Sequence, residues 1–263
     1  MLTLKNIGIT YENGKVAVSD FNLDIKKGEI IGIVGESGSG KSTLIKSIVG
    51  GLPETTKIVG EVLFEGKNIL SDKKFEKGRN ITIVFQETRH TLNPIRKIGR
   101  QYIEYIRQHL KISKEEAETK AIENLRKTNL PSPENIMNSY PYQLSGGMCQ
   151  RVGIAMAMTF NPKILLADEP TSALDVTTQA QIVTELLHMR EKFGTTMVVV
   201  THSLGVAAYL ADRLVVMKDG KIVETGKTEE VLKNPKSEYT KLLIASVPTL
   251  ESEENYELSL IHI

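Results

Sequence analysis

Residues 35–42 form the segment of the chain whose side chains and spacing point most directly to chemistry. The run GESGSGKS fits the pattern G-x-x-x-x-G-K-[ST] and is followed by a further threonine. Glycines in such a loop allow backbone N–H groups to close around phosphate oxygens, assisted by the positive end of the following helix. In such a loop Lys41 can reach the β- and γ-phosphates, and the Ser42 hydroxyl can ligate Mg²⁺. The segment predicts a nucleotide site built from Gly35, Glu36, Ser37, Gly38, Ser39, Gly40, Lys41, Ser42 and Thr43.

Two adjacent carboxylates follow the apolar run 164–167. Asp168 suits a contact to Mg²⁺, directly or through water. Glu169 suits the general base that polarises an attacking water. Solvated acids are also common at strand ends, and that explanation accounts for one carboxylate as well as catalysis does. The phosphate loop earlier in the chain favours the catalytic interpretation.

The sequence LSGGM at 144–148 is a third candidate for phosphate chemistry. A serine and two glycines that open a helix present backbone N–H groups to an anion. Taken alone, Ser-Gly-Gly is also an ordinary loop and helix cap.

The elements around these motifs predict how they are positioned. Ile30–Val34 is a fully apolar run of strand length, and Lys41–Val49 has apolar residues at helical spacing, so the loop joins a buried strand to a helix. Strands are also predicted at 60–66, 81–85, 164–167 and 197–200. Helices are predicted at 98–110, where the pattern is amphipathic, at 114–130, where Ser113 and Glu116 resemble a capping box, and at 177–192. This alternation predicts a parallel sheet flanked by helices.

The composition limits the class of protein. The chain has 263 residues, a formal charge of +1 and 40% hydrophobic residues, as expected for one α/β domain with a subdomain. The charge balance argues against nucleic-acid binding by bulk positive charge. No apolar run approaches the roughly 18–20 residues that cross a bilayer, and the N-terminus does not resemble a secretory signal. Cys149 is the single cysteine, so no intramolecular disulfide is expected. A soluble intracellular protein is predicted, with any membrane role through a partner.

Together the motifs resemble the ATP-binding subunits of ABC transporters over about residues 1–247. The pieces occur in that family's order: the phosphate loop, Gln86, LSGGM, LLADEP, SALD at 172–175 and Thr201-His202. The resemblance implies an α/β fold with a P-loop NTPase (RecA-like) core, an N-terminal antiparallel β subdomain and an inserted α-helical subdomain. It implies one ATP-binding domain over 1–250, with its catalytic core at 1–86 and 159–235 and its helical subdomain at 87–158. Residues 236–263 would form a C-terminal segment and tail, loose after about residue 251.

The resemblance also implies roles for single residues. Tyr11 would stack on adenine, Gln86 would touch Mg²⁺ and water, His202 would contact the γ-phosphate, and Asp175 would signal across a dimer interface. Each residue also has an ordinary explanation. Tyr11 could be a strand tyrosine and Gln86 a polar residue that caps a strand. His202 could be a structural histidine and Asp175 a helix N-cap. With Ser42 and Asp168, Gln86 would complete the Mg²⁺ contacts.

LSGGM would be the signature loop, which acts on the ATP bound to a partner subunit. Its residues are Leu144, Ser145, Gly146, Gly147 and Met148. Two subunits would then meet head to tail around two ATP molecules. Met148 replaces the glutamine that is usual in this loop, and Ser203 follows His202 where aspartate is common. We expect weakened closure from Met148 rather than its loss.

Further segments resemble the importers for dipeptides, oligopeptides and nickel: TLNP at 91–94, SYPY at 139–142, NPK at 161–163 and EYTKLL at 238–243. SGGM and a short C-terminus without cysteine resemble the nickel and metal-chelate members. The prediction is an ATP-hydrolysing subunit for import of nickel or a metal chelate, with peptide import as the alternative. A soluble ATP switch outside transport is disfavoured because the chain has one ATPase domain and no heptad insertion.

The expected partners are a second ATPase subunit, usually a different polypeptide, two transmembrane permease subunits and an extracytoplasmic substrate-binding protein, without nucleic acid. The expected location is peripheral, on the cytoplasmic face of the cell membrane, with ATP and Mg²⁺ as cofactors.

Overall fold

The computed structural model describes residues 1–72 and 75–247, which form two compact units. The first unit contains Met1–Glu76 and the described chain from Gly194 onward, and the second contains Lys77–Phe193. The predicted loose tail lies outside the described residues. The domain bounds expected from the sequence stay predictions.

An antiparallel sheet forms the N-terminal part of the first unit. Its strand order is β2-β1-β4-β5, with β1 at Leu2–Thr10, β2 at Val16–Ile25, β4 at Lys57–Phe64 and β5 at Lys67–Asn68. Leu2, Leu4, Ile7 and Ile9 of β1 are buried, as expected for a sheet with one face on the core. This sheet confirms the predicted antiparallel β subdomain.

The second sheet of this unit holds the strand that leads into the phosphate loop. β3 at Ile30–Val34 lies parallel to β8 at Thr196–Thr201 on one side and to β9 at Arg213–Lys218 on the other. β10 at Lys221–Lys227 pairs antiparallel with β9. All five residues of β3 are buried, which explains its unbroken apolar sequence. The helices of the first unit are α1 (Lys41–Val49), α9 (Leu204–Leu210), α10 (Thr228–Lys233) and α11 (Glu238–Ala245).

The second unit is mainly helical. Two parallel strands, β6 at Ile81–Val84 and β7 at Ile164–Asp168, carry the segments that end at Gln86 and Asp168. The helices are α2 (Lys77–Asn80), α3 (Thr88–Thr91), α4 (Ile98–His109), α5 (Lys114–Lys127), α6 (Pro133–Asn138), α7 (Gly146–Ala157) and α8 (Val176–Phe193), with a 3₁₀ turn at Pro141–Gln143. This confirms the predicted insertion of helices.

Local signals and buried polar contacts both fix these helices. The capping box predicted at α5 is present: Ser113 Oγ accepts from Glu116 N at 3.1 Å, and Glu116 Oε2 accepts from Ser113 N at 2.8 Å. Tyr102 is fully buried, and its hydroxyl donates to the Ala155 carbonyl at 2.7 Å, which ties α4 to α7. Burial raises the pKa of Tyr102 well above its usual value, so this hydroxyl stays a donor.

Among the described residues, no helix has both the length and the apolar character needed to cross a membrane.

Glu185 on α8 is a buried carboxylate in the second unit. It is 4% exposed, and neither carboxylate oxygen has a hydrogen-bond partner among the described residues. Arg151 Nε lies 3.8 Å from Glu185 Oε2, while Lys127, His188 and Lys192 line the same cavity of about 50 Å³. Burial raises the pKa of Glu185 from 4.5 to about 8, and the charge of Arg151 opposes that rise only in part.

The raised pKa of Glu185 predicts a stability that depends on pH. Between pH 4.5 and about 8 the unfolded chain loses this proton while the folded chain keeps it, so the free energy of unfolding falls as the pH rises. Glu185→Gln removes the titration. We expect the variant to match wild type near pH 5 and to exceed it by roughly 2–4 kcal/mol at pH 8.5. Urea unfolding at both pH values measures the difference. Glu191→Gln, an exposed change on the same helix, is the control. The same dependence of unfolding free energy on pH in all three proteins would contradict the prediction.

Candidate functional site

The phosphate loop follows β3 and ends where α1 begins. Gly40 precedes α1 with φ of 96°, a left-handed conformation that favours glycine. A Cβ at this position would overlap the carbonyl oxygen of Ala17 on β2. The loop therefore depends on glycine for its backbone conformation and for its close approach to β2.

Lys41 lies at the centre of this loop and is 4% exposed. Its Nζ donates to the Gly35 carbonyl at 2.6 Å, the Glu36 carbonyl at 2.7 Å and Ser39 Oγ at 3.2 Å. These three acceptors are neutral oxygens of the loop itself. Phosphate oxygens are stronger acceptors for a charged donor, so this geometry suits exchange of carbonyls for phosphate.

Tyr11 lies at the end of the first strand, beside the helix that follows the loop. Its hydroxyl and Thr43 Oγ1 are 2.8 Å apart, so two predicted nucleotide contacts are joined by a hydrogen bond. The ring is half-buried, and stacking on adenine stays a prediction.

The predicted carboxylates occupy the end of β7. Asp168 is 1% exposed, and Glu169 follows with φ of 48°, an uncommon conformation for a residue other than glycine. Gln86 Nε2 donates to Glu169 Oε2 at 3.2 Å. The second unit thus brings together the predicted base and the predicted glutamine, which orients one oxygen of the carboxylate.

The signature loop is the N-terminus of α7. Ser145 is its N-cap, and Ser145 Oγ accepts from Met148 N at 3.2 Å. Met148 is partly buried and packs against the apolar core of the second unit, so its side chain serves packing. Cys149 is fully buried, and burial raises the pKa of its thiol, which disfavours the reactive thiolate.

Asp175 lies immediately before α8 and next to this loop. Its Oδ1 accepts from Thr178 N at 2.9 Å and its Oδ2 from Thr178 Oγ1 at 2.6 Å, so it caps the helix. The Thr178 hydrogen bonds lower the pKa of Asp175. The helix-cap alternative is therefore observed, and the predicted signalling role is compatible with it.

Thr178 is the residue near the signature loop that the sequence reasoning missed. A Cβ at Gly147 would overlap its Cγ2 methyl group, while Thr178 Cβ would be 3.6 Å away. The Asp-x-x-Thr spacing is a capping signal that could have identified Thr178. The packing of its methyl group on Gly147 has no such signal, because the two residues are distant in sequence.

This contact predicts a compensating pair. Gly147→Ala is expected to lower the free energy of unfolding by about 1–3 kcal/mol, because the new methyl group overpacks against Thr178. Adding Thr178→Ser removes the Cγ2 methyl, keeps the hydroxyl on Asp175, and should restore most of the loss. Chemical unfolding of both single variants and the double variant measures the coupling. Additive effects would contradict the predicted contact.

His202 and Ser203 follow the end of β8 in the first unit. His202 is exposed. Ser203 is the N-cap of α9, with its Oγ accepting from Val206 N at 3.3 Å. Serine in place of the usual aspartate therefore retains a capping function.

The predicted residues are distributed over both units. The first unit holds the phosphate loop, Tyr11 and His202, and the second holds Gln86, the two carboxylates, the signature loop and Asp175.

Comparisons with known proteins agree with this set of motifs. Residues 18–172 match the family model described as ABC transporter, and residues 223–262 match the C-terminal region of oligopeptide/dipeptide transporters. The chain belongs to the ABC transporter ATP-binding family.

Three similar proteins, two from transport systems and one with a solved structure, show which kinds of protein this chain resembles. The oligopeptide transport ATP-binding protein OppD of Bacillus subtilis is 45% identical over 99% of this chain and 75% of its own length. The metal-staphylopine import system ATP-binding protein CntD of Staphylococcus aureus is 40% identical over 94% of this chain and 93% of its own. The dimeric ATP-binding cassette MJ0796, solved in a post-hydrolysis state with ADP and Pi, aligns with a TM-score of 0.76 and 36% identity, over 87% of this chain and 99% of that one.

These findings confirm the predicted family, the P-loop NTPase fold and an ATPase activity coupled to transport. They also confirm ATP as the nucleotide.

Proposed function

We propose that the chain is the ATPase subunit of a multisubunit importer, which it drives by closing around ATP as a head-to-tail dimer. The match of residues 223–262 to the oligopeptide/dipeptide transporter region carries this proposal, because it adds a transporter-specific segment to the ATPase motifs. The dimeric state of the MJ0796 cassette supports the dimer.

In this proposal the phosphate loop binds the ATP phosphates and Tyr11 binds the adenine. Glu169 accepts a proton from the attacking water, oriented by its hydrogen bond from Gln86. His202 contacts the γ-phosphate.

Mg²⁺ is assigned to Ser42, Asp168 and Gln86. All three offer oxygen ligands, and a buried carboxylate such as Asp168 suits a hard divalent cation. When bound, Mg²⁺ would neutralise charge that develops on the phosphates.

Leu144, Ser145, Gly146, Gly147 and Met148 would act on the ATP bound by the partner ATPase, and Asp175 would report on that interface. The N-cap serine and the backbone N–H groups of Gly146 and Gly147 at the start of α7 fit contact with an anion. The partner is proposed to be a different ATPase polypeptide, with a homodimer as the alternative.

The complete importer would add two permease subunits and an extracytoplasmic substrate-binding protein, and would hold this subunit on the cytoplasmic face of the membrane. Two cargo classes have support. Similarity to the metal-staphylopine import protein supports a metal chelate, including nickel, and similarity to OppD supports a peptide.

The cargo is tested in cells in which Glu169→Gln replaces the wild-type residue. Elemental content in metal-limited medium and sensitivity to toxic peptides are measured together, with Glu118→Gln, an exposed change on α5, as the control. Loss of metal accumulation supports the chelate, and resistance to toxic peptides with unchanged metal supports the peptide. No change in either would contradict an importer of these classes.

A further inference from the structure

We propose that Tyr239 is a positioning residue for the phosphate loop, through which the C-terminal helix sets the affinity for nucleotide. The inference rests on the assignment of the ATP phosphates to this loop.

The contact is direct and lies within the first unit. The Tyr239 hydroxyl accepts a hydrogen bond from the backbone N–H of Glu36, the second residue of the loop, at 3.1 Å. The tyrosine ring is half-buried and lies under Lys218, whose Nζ is 4.8 Å from the ring centroid. A cation at this distance favours one placement of the ring. Tyr239 is therefore oriented from the side of β9 as well as by its own helix.

The helix that carries Tyr239 is fixed to the sheet. Glu224 on β10 accepts from the backbone N–H groups of Lys236 at 2.8 Å and Ser237 at 3.0 Å, just before α11 begins. A carboxylate at a helix N-terminus stabilises that end of the helix. The tyrosine hydroxyl is thus held by β9, β10 and α11 together.

The loop needs such external contacts because its own bonds change when phosphate binds. Lys41 Nζ now binds the carbonyls of Gly35 and Glu36, and these bonds compete with phosphate oxygens. Glu36 N–H is directed to the Tyr239 hydroxyl, so in this proposal it holds the loop from outside and is kept when nucleotide binds. A second bond from outside the loop, from Gly220 N to the Ser39 carbonyl at 3.2 Å, holds its other side.

A glycine-rich loop held in its binding conformation loses less conformational entropy when the ligand arrives. Tyr239 would therefore raise nucleotide affinity without touching the nucleotide. This gives part of the matched C-terminal region a physical connection to the ATP site.

Tyr239→Phe tests the proposal, since it removes the hydroxyl and keeps the ring beneath Lys218. The purified full chain is titrated with ADP and with ATP. We expect the Kd of both to rise about two- to tenfold, the range of one neutral hydrogen bond. Tyr209→Phe, a half-exposed tyrosine on α9, is the matched control and should leave both constants unchanged.

Two further readouts separate positioning from a general loss of structure. Amide hydrogen exchange of residues 36–38 without nucleotide should be faster in Tyr239→Phe than in wild type or Tyr209→Phe. Its Tm without nucleotide should fall by no more than about 3 °C, the shift expected for one lost hydrogen bond. The KM for ATP should rise while kcat at saturating ATP changes less than twofold.

Unchanged Kd values in Tyr239→Phe would overturn the role of Tyr239 in nucleotide affinity, whatever the exchange at residues 36–38. Failure of the wild-type chain to bind ADP or ATP would instead refute the assignment of the phosphate loop, so the two failures are distinguishable.

Discussion

Glu169→Gln is expected to reduce ATP hydrolysis by at least about 100-fold while ATP binding stays near its wild-type value. The amide has the size of the carboxylate and can still accept the hydrogen bond from Gln86, which is 3.2 Å long in the wild-type protein. It cannot take a proton from water, so the loss falls on the chemical step. Phosphate release in the assembled complex and nucleotide titration of the isolated chain measure the two quantities.

The control for this change is Glu118→Gln, which alters charge equally on the exposed surface of the second unit. It should hydrolyse ATP at the wild-type rate. Near-normal turnover of Glu169→Gln in the complex would remove Glu169 from the role of general base. Reduced ATP affinity would show that the side chain also shapes the nucleotide site.

Lys41→Ala should weaken nucleotide binding itself, by about 10- to 100-fold, the range of a charge-assisted hydrogen bond. Lys41 is buried in the loop, and truncation removes the donor that now bridges Gly35, Glu36 and Ser39. Its loss leaves those acceptors without the ammonium group, and it would leave the phosphates of a bound nucleotide without the cation proposed for them. Calorimetric titration with ADP measures the effect without interference from hydrolysis.

Lys27→Ala is the matched control for Lys41→Ala, because Lys27 is exposed and precedes the opposite end of β3. Its affinity for ADP should equal that of wild type. An unchanged Kd in Lys41→Ala would contradict the phosphate-loop interpretation, and the unfolding temperature of the variant shows whether the loop itself has collapsed.

Much of the framework was predictable because its signals are local. The apolar run at Ile30–Val34, the helical spacing at Lys41–Val49 and the Ser113–Glu116 capping box each depend on neighbours within a few residues, and each is present. The helix predicted at 177–192 is observed as Val176–Phe193. The strand predicted at 60–66 is observed earlier, at Lys57–Phe64, because pairing with β1 sets its ends.

The contacts that refine the site were not predictable because packing sets them. Tyr239 and Glu36 are 203 residues apart in the chain, and no local pattern links them. The Thr178 methyl group meets Gly147 only when α7 and α8 pack. Helical periodicity alone does not decide whether Glu185 faces solvent or the core. Its burial beside Arg151 depends on the packing of α7 against α8.

The position of β3 in its sheet has a consequence for synthesis of the chain on the ribosome. Both strands that flank β3 come from the far end of the unit: Val34 pairs with Thr201 on one side and Val216 on the other. At about 5–20 residues per second, roughly 10–30 s pass between synthesis of the phosphate loop and synthesis of its first sheet neighbour. During that interval the nascent loop has its sequence but lacks the strand pairing that holds its shape. The growing polypeptide should therefore become able to bind ATP late, after β9 has emerged from the exit tunnel.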